Sequence, residues 1–306
     1  MPNKSRRLWT SLFRRPRGVV RLARENVEAL ARIDSWVFPF SHDAVEGTPV
    51  HVVIGSHDWR LAAWMLASWF HFTERSWPLV IHDDGTLSEE AVAKLQQLFP
   101  PARIIRRKEA DAALAPVLLA FPFCETLRSD DPAALKIFDA RHFCAADRYF
   151  AFDSDVLFFN YPRTLVDWAA GESDETWFAE DAEEGSLVMP AEARDEFGVK
   201  IWPLVDTGIS LIHKAALDLD FFDTVLAQTS ILRGSLENAT RTLAMLGAAR
   251  VGKGGLLPRD YEVSSARSAS ADAIGRHYAG DARPRFFDDG LKRVAPHLFP
   301  PEVLET

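Results

Sequence analysis

The run Arg148-Tyr-Phe-Ala-Phe-Asp153-Ser-Asp155-Val-Leu-Phe-Phe159 sets two carboxylates at the end of an apolar stretch. Successive apolar side chains mark a strand buried on both faces, as at the centre of a parallel sheet. Carboxylates there are costly unless something positive sits beside them. Residues i and i+2 of an extended chain point the same way, so Asp153 and Asp155 can converge on one site. Open α/β sheets bind ligands at the carboxyl ends of their strands. Oxygen donors in that place suit Mg²⁺ or Mn²⁺, commonly shared with substrate phosphates. The alternative, two acids that cap a turn or face solvent, fits less well with a strand this hydrophobic.

The elements that must position this pair read as alternating strands and helices. His51–Gly55 is a short apolar strand, and Asp58 is placed to cap a helix running to about Phe72. Leu79–His82 is a second strand, closed by Asp83-Asp84-Gly85, whose acids fit an Asx-type turn. Ser88 and Glu90 open a helix carrying Ala91, Leu95 and Leu98 at helical spacing, and Ala102–Ile105 is a third strand. Tyr149–Phe152, Thr176–Ala179 and Leu204–Ile212 continue the pattern, with a long acidic loop between Glu180 and Glu196 and a turn at Gly252–Gly255. Strands alternating with long helices predict an α/β fold: a mainly parallel central sheet with helices on both faces.

A chain of 306 residues with 47% apolar residues can bury a sizeable core. The net charge of −9 is unevenly spread: of 35 basic residues eight lie in 1–24, where there is no acid, leaving 27 basic against 44 acidic beyond. Val20, Ala23, Val27 and Leu30 predict an amphipathic helix over roughly 18–35, and Phe38–Pro49 reads as a linker, so residues 1–48 form a basic arm and helix ahead of one domain over 49–306. Such an arm suits an anionic membrane surface, reached through residues 1–35. Nucleic acid is not expected, because the body is acidic. No secretory leader pattern is visible, no apolar run spans a bilayer, and Cys124 and Cys144 read as reduced, near-core thiols. The expectation is a cytoplasmic protein, peripheral to the inner face of a membrane.

Several further segments, taken with the Asp153-Ser154-Asp155 strand, resemble nucleotide-sugar glycosyltransferases of the GT-A (nucleotide-diphospho-sugar transferase) fold. The likeness, over about 50–290, is to glycosyltransferase family 8, the family of glycogenin and bacterial lipopolysaccharide glycosyltransferases. Ile54-Gly55-Ser56-His57-Asp58-Trp59, followed by Ala62, Ala63 and Ser68, looks like the family's first strand and nucleotide-contacting turn. Leu135-Lys136-Ile137 matches the placement of its donor-facing lysine. Leu204-Val-Asp206-Thr-Gly208 resembles its Asn-x-Gly strand near the donor sugar, with Asp206 in place of Asn. His277-Tyr-Ala-Gly280-Asp-Ala-Arg283-Pro284 resembles its C-terminal segment, whose His completes the metal shell, with Arg283 in place of Lys.

The resemblance implies a metal-dependent hexosyltransferase that acts with retention. Its donor is a nucleoside-diphosphate sugar, with a UDP-sugar favoured, and its acceptor a saccharide or lipid-linked sugar. Asp153, Asp155 and His277 hold Mn²⁺ or Mg²⁺. Gly55, Ser56, His57, Asp58, Lys136, Asp153, Ser154, Gly280 and Arg283 bind the donor, and Asp206 and Glu237 are the catalytic candidates. Read without the family, His277 supplies an imidazole that complements two carboxylates, Gly280 lets backbone approach phosphates, and Lys136 and Arg283 balance charge on a leaving diphosphate. The family's acidic-Gln pair is matched by Glu237-Asn238 or, as naturally, by Thr240-Arg241 ahead of Leu243. Two alternatives stand beside this reading. One is a non-catalytic nucleotide-sugar-binding protein. The other is a haloacid-dehalogenase-like phosphatase, in which the first Asp would attack phosphorus; its motif normally opens the domain.

Overall fold

The computed structural model describes residues 25–40, 47–183, 185–202, 204–228, 236–263 and 268–300, with the side chains of 236 and 237 excepted. The basic arm through residue 24, on which most of the expected membrane contact rests, lies outside them.

Among the described residues ten strands are formed: β1 Val50–Ile54, β2 Leu79–Asp83, β3 Arg103–Ile105, β4 Arg148–Phe152, β5 Val156–Phe158, β6 Thr176–Glu180, β7 Val205–His213, β8 Gly254–Leu256, β9 Tyr261–Val263 and β10 Gly275–His277. Seven of them make the central sheet, in the order β3-β2-β1-β4-β7-β6-β8. β3, β2, β1 and β4 run parallel, as their separation by helices requires. β7 runs against both neighbours, and β8 is parallel to β6. The expected parallel sheet is therefore interrupted by one reversed strand, β7.

Alternation along the strands separates two cores. Val50, Val52, Ile54, Phe150 and Phe152 pack with the helices Trp59–Thr73 and Glu89–Leu98, whereas Tyr149 and Ala151 join the opposite face, with the helices Arg107–Leu118, Pro122–Asp130, Leu219–Leu226 and Leu236–Val251. Helices thus cover both faces. Trp69 anchors the first core, its ring centroid 5.0 Å from those of Phe150, Phe152 and Phe158 in edge-on and tilted contacts. Beside it Ser68 gives its hydroxyl proton to Met65 O (2.7 Å) and accepts the Phe158 N–H (3.1 Å), tying this helix to β5. As expected, the Ser88 hydroxyl caps the next helix by accepting the Ala91 N–H at 3.1 Å.

Three shorter strands form a second sheet, β5-β10-β9, with β10 antiparallel to β5 and parallel to β9. The chain passes from one sheet to the other through Asp153-Ser154-Asp155. The acid pair therefore sits at the corner between the two sheets.

Three local expectations are corrected. Gly254 and Gly255 belong to β8: Gly254, at φ +114°, lies so close to the Thr176 backbone that a side chain would collide with it. Phe38 and Phe40 are packed on Phe70, with ring centroids 5.1 and 6.3 Å away, so the described part of the anticipated linker is docked. The second half of the acidic loop is a helix, Pro190–Phe197, ended by Gly198 in the left-handed region. Cys124 and Cys144 are buried and form no disulfide. Among the described residues no helix is long and apolar enough to cross a membrane.

Candidate functional site

Parallel pairing of β2, β1 and β4 brings their carboxyl ends to one edge, and the reversal of β7 brings its first residues, Val205 and Asp206, to the same edge. A cavity of about 350 Å³ opens there. Along it, the sheet order sets Gly55 and Asp84 at one end, Asp153 to Asp155 in the middle, and Asp206, Thr207, Thr240 and Arg241 at the other.

The middle is built by register. β10 pairs with β5 so that His277 lies opposite Val156, next to Asp155. His277 Nε2 is 3.2 Å from Asp155 Oδ1 and 3.6 Å from Asp153 Oδ2, and its Nδ1 is 2.9 Å from Asp206 Oδ1. The ring reaches this position only because residue 208 of β7 is glycine, since any Cβ there would overlap the imidazole. The Asp153 N–H donates to Gly208 O at 2.9 Å, which locks β7 to the corner. One ligand atom each from Asp153, Asp155 and His277 lie within 4.8 Å of one another. Two carboxylates and one imidazole fit a divalent cation of the Mn²⁺ or Mg²⁺ class.

Two cations flank this set. Lys136, buried at the end of the short helix Pro132–Lys136, donates to Asp153 Oδ1 at 2.7 Å and to Thr207 Oγ1 at 3.3 Å. Arg283 pairs through Nη2 with Asp58 and places Nε 3.7 Å from Asp155 Oδ2. Burial opposes charge on Lys136, but Asp153, with Asp206 and Asp131 behind it, more than offsets it and raises the ammonium above its ordinary value. Asp155 is likewise disfavoured as an anion by burial, yet His277 and then Arg283 bring it below the usual carboxylate range. Asp206, fully buried, is drawn down to about 2 by His277, Arg241 and the Gly208 N–H, against burial. His277 is raised well above its ordinary value, because Asp206 and Asp155 outweigh its burial. Both ring nitrogens of His277 thus face carboxylates, and the same negative charge that favours its proton would favour a bound cation.

Of the residues singled out in the sequence, the structure brings Gly55, Asp58, Lys136, Asp153, Ser154, Asp155, Asp206, His277, Gly280 and Arg283 to the lining of one cavity. Gly280 adopts φ +52°, a conformation that favours glycine. The cap expected of Asp58 is not made: it stands at the N-cap position without a capping bond, because Arg283 holds its carboxylate. Ser56 and His57 are not among the lining residues; Ser56 N–H donates to Thr86 Oγ1 at 2.8 Å, and His57 is exposed. Asp83 and Asp84 form the expected turn by accepting the N–H groups of Gly85 (2.8 Å) and Thr86 (2.9 Å), and Asp84 also lines the cavity. Glu237 falls outside the described side chains. The other pair, Thr240 and Arg241, does line the cavity: Thr240 donates to Asp131 Oδ2 (2.6 Å), and Arg241 donates to Asp181 Oδ2 (2.9 Å), with its other arm 3.9 Å from Asp206. Sequence reading missed Thr207 and Asp181. Thr207 was legible as the neighbour of Asp206, but Asp181 enters only through its pairing with a distant helix.

No family profile matches the sequence, and neither does any curated protein. Comparison of structures does find relatives of the fold. Mouse xyloside xylosyltransferase 1, in its apo form, is 14% identical at a TM-score of 0.52, over 78% of this chain and 98% of that one. An active-site mutant of LgtC is 13% identical at 0.51, over 82% and 95%. The bifunctional glycosyltransferase WbbM is 14% identical at 0.52, over 85% of this chain but 51% of that one. The seven-stranded sheet with one reversed strand, the helices on both faces and this structural likeness together give the chain the GT-A fold of nucleotide-sugar glycosyltransferases.

Proposed function

We propose that the protein is a metal-dependent glycosyltransferase that moves a hexose from a nucleoside-diphosphate sugar to a saccharide or lipid-linked acceptor. The observation that carries the reading is the convergence of Asp153, Asp155 and His277 at one corner, with Lys136 and Arg283 beside them. A divalent cation bound there would neutralise the diphosphate of the donor. Lys136 and Arg283 would take up the charge that grows as the diphosphate leaves, from fixed positions and without reorganisation. Gly55 and Asp84, at the β1–β2 end, would face the nucleoside, with Asp58 holding Arg283 beside them; Thr207 and Arg241, at the β7 end, would face the sugar. The uridine donor, the hexose and the retaining outcome rest on the sequence resemblance to family 8.

Titration with uridine diphosphate, with and without Mn²⁺, tests this. Binding should need the metal, and Asp155→Ala should weaken it by more than about 100-fold, beyond the ~10–100-fold typical of residues outside the ligand shell. Metal-independent binding that Asp155→Ala leaves unchanged would sink the proposal.

One observation favours a second reading, a non-catalytic nucleotide-sugar-binding protein. The only carboxylate described at the sugar end of the cavity lining, Asp206, is bonded to His277 and Gly208. That protein would bind donor with metal but release no free sugar from any of a panel of donors. The phosphatase reading is not favoured, because β4 follows three strands, does not open the domain, and pairs with a reversed strand.

A further inference from the structure

We propose that Asp206 is a positioning residue for the cation site, fixing His277 as the tautomer protonated on Nδ1 so that Nε2 is the nitrogen offered to a cation. This rests on the metal-site reading above and gives Asp206 a task other than the catalytic one expected from the sequence.

Four observations carry it. First, Asp206 Oδ1 and His277 Nδ1 are 2.9 Å apart, and the contact is buried on both sides. Second, the same oxygen accepts the Gly208 N–H at 2.8 Å, so the carboxylate is held by the backbone of its own strand and does not follow the ring. Third, the opposite nitrogen faces both acids of the corner, at 3.2 and 3.6 Å. Fourth, Gly208 opens the space the ring occupies, so β7 supplies both the slot and the anchor.

The chemistry of the partner matters. An ionised carboxylate only accepts hydrogen bonds, so the nitrogen it meets must carry the proton, and the other nitrogen keeps its lone pair in the metal-bound state. An asparagine at 206 would leave the choice open, because an amide can present either its oxygen or its NH₂ group to the ring. Partners of this kind orient metal-binding histidines and raise their basicity.

The test uses the full chain and Mn²⁺ alone. Affinity is measured by calorimetry, and imidazole coordination by the ¹⁴N modulation of the electron spin echo of bound Mn²⁺. The wild type should show histidine modulation. Asp206→Ala should bind Mn²⁺ about 10–100-fold more weakly, with that modulation lost. Asp206→Asn, which keeps the volume if the alanine variant does not fold, should fall between the two and retain the modulation. Wild-type affinity and modulation in either variant that folds would overturn the inference while leaving the metal site standing. A wild-type chain that takes up no Mn²⁺ overturns the metal reading and this inference with it.

Discussion

His277 at the sheet edge and the His51–His82 pair inside the sheet are buried alike, at 5% and 1% exposure, yet their basicity is shifted in opposite directions. His51 Nδ1 and His82 Nε2 meet at 2.8 Å across β1 and β2, their rings stacked at 23°. Their outer nitrogens, His51 Nε2 and His82 Nδ1, have no hydrogen-bond partner among the described residues. Burial, followed by Arg103 and Arg128, pushes His82 down to about 3; burial, then His82, Lys214 and Arg103, pushes His51 well below its ordinary value. At His277 the same desolvation is present and loses to two carboxylates. Burial alone therefore does not set the charge of a histidine here. One region disfavours a proton on its rings, the other favours positive charge.

The contrast can be tested most strongly by acid. A folded-state pKa below the unfolded value of about 6.5 means that the His51–His82 pair costs nothing at neutral pH. Stability is then lost as pH falls from about 6.5 towards 3, because the unfolded chain takes up protons the folded one refuses. By pH 5 the loss should approach ~2 kcal/mol per ring. Urea unfolding between pH 7 and 5 should show it, and His51→Leu/His82→Leu should remove it. His277 runs the other way: its contribution is complete below the unfolded pKa and fades as pH rises through its raised folded value. A double variant with the wild-type acid slope would mean that the pair does not cause it.

A smaller effect isolates the charged site. Gly208→Ala changes no ligand but drives a methyl into the His277 ring. Mn²⁺ affinity should fall by about tenfold or more, the low end of outer-shell effects, while the acid slope from His51 and His82 stays put. An unchanged metal affinity would show that the ring has other room. The smallest expected change is at Asp58. Its pair with Arg283 is substantially exposed, at 35% and 42%, and so contributes little to stability. Asp58→Ala should free Arg283 for the diphosphate and leave uridine diphosphate affinity within about threefold of wild type, on the tighter side. A tenfold loss would make Asp58 a true nucleoside contact.

How much of this was legible follows from the range of each signal. Asp153 and Asp155 were readable because two-residue periodicity within one strand fixes their common direction. Lys136, His277 and Arg283 were readable as segments, through likeness. The His277–Asp206 bond was not, because it depends on β7 being inserted backwards beside β4, and the strand pattern of Leu204–Ile212 looks the same in either direction. The His51–His82 pair depends on β1–β2 register, which no local pattern encodes. The second sheet escaped notice because β5, β9 and β10 are three residues each, too short to show alternation. Asp58 misled for the opposite reason: its local position is that of a cap, and a residue 225 positions away claims its side chain.

The corner where the two sheets meet also has a topological meaning. Asp153 and His277 stand 124 positions apart in the chain, and the contact between them ties the far end of the domain back to its middle. The two cysteines of the protein form no disulfide. A divalent ion at that junction would act as a reversible clip across a long loop, the role a cross-link plays in other folds.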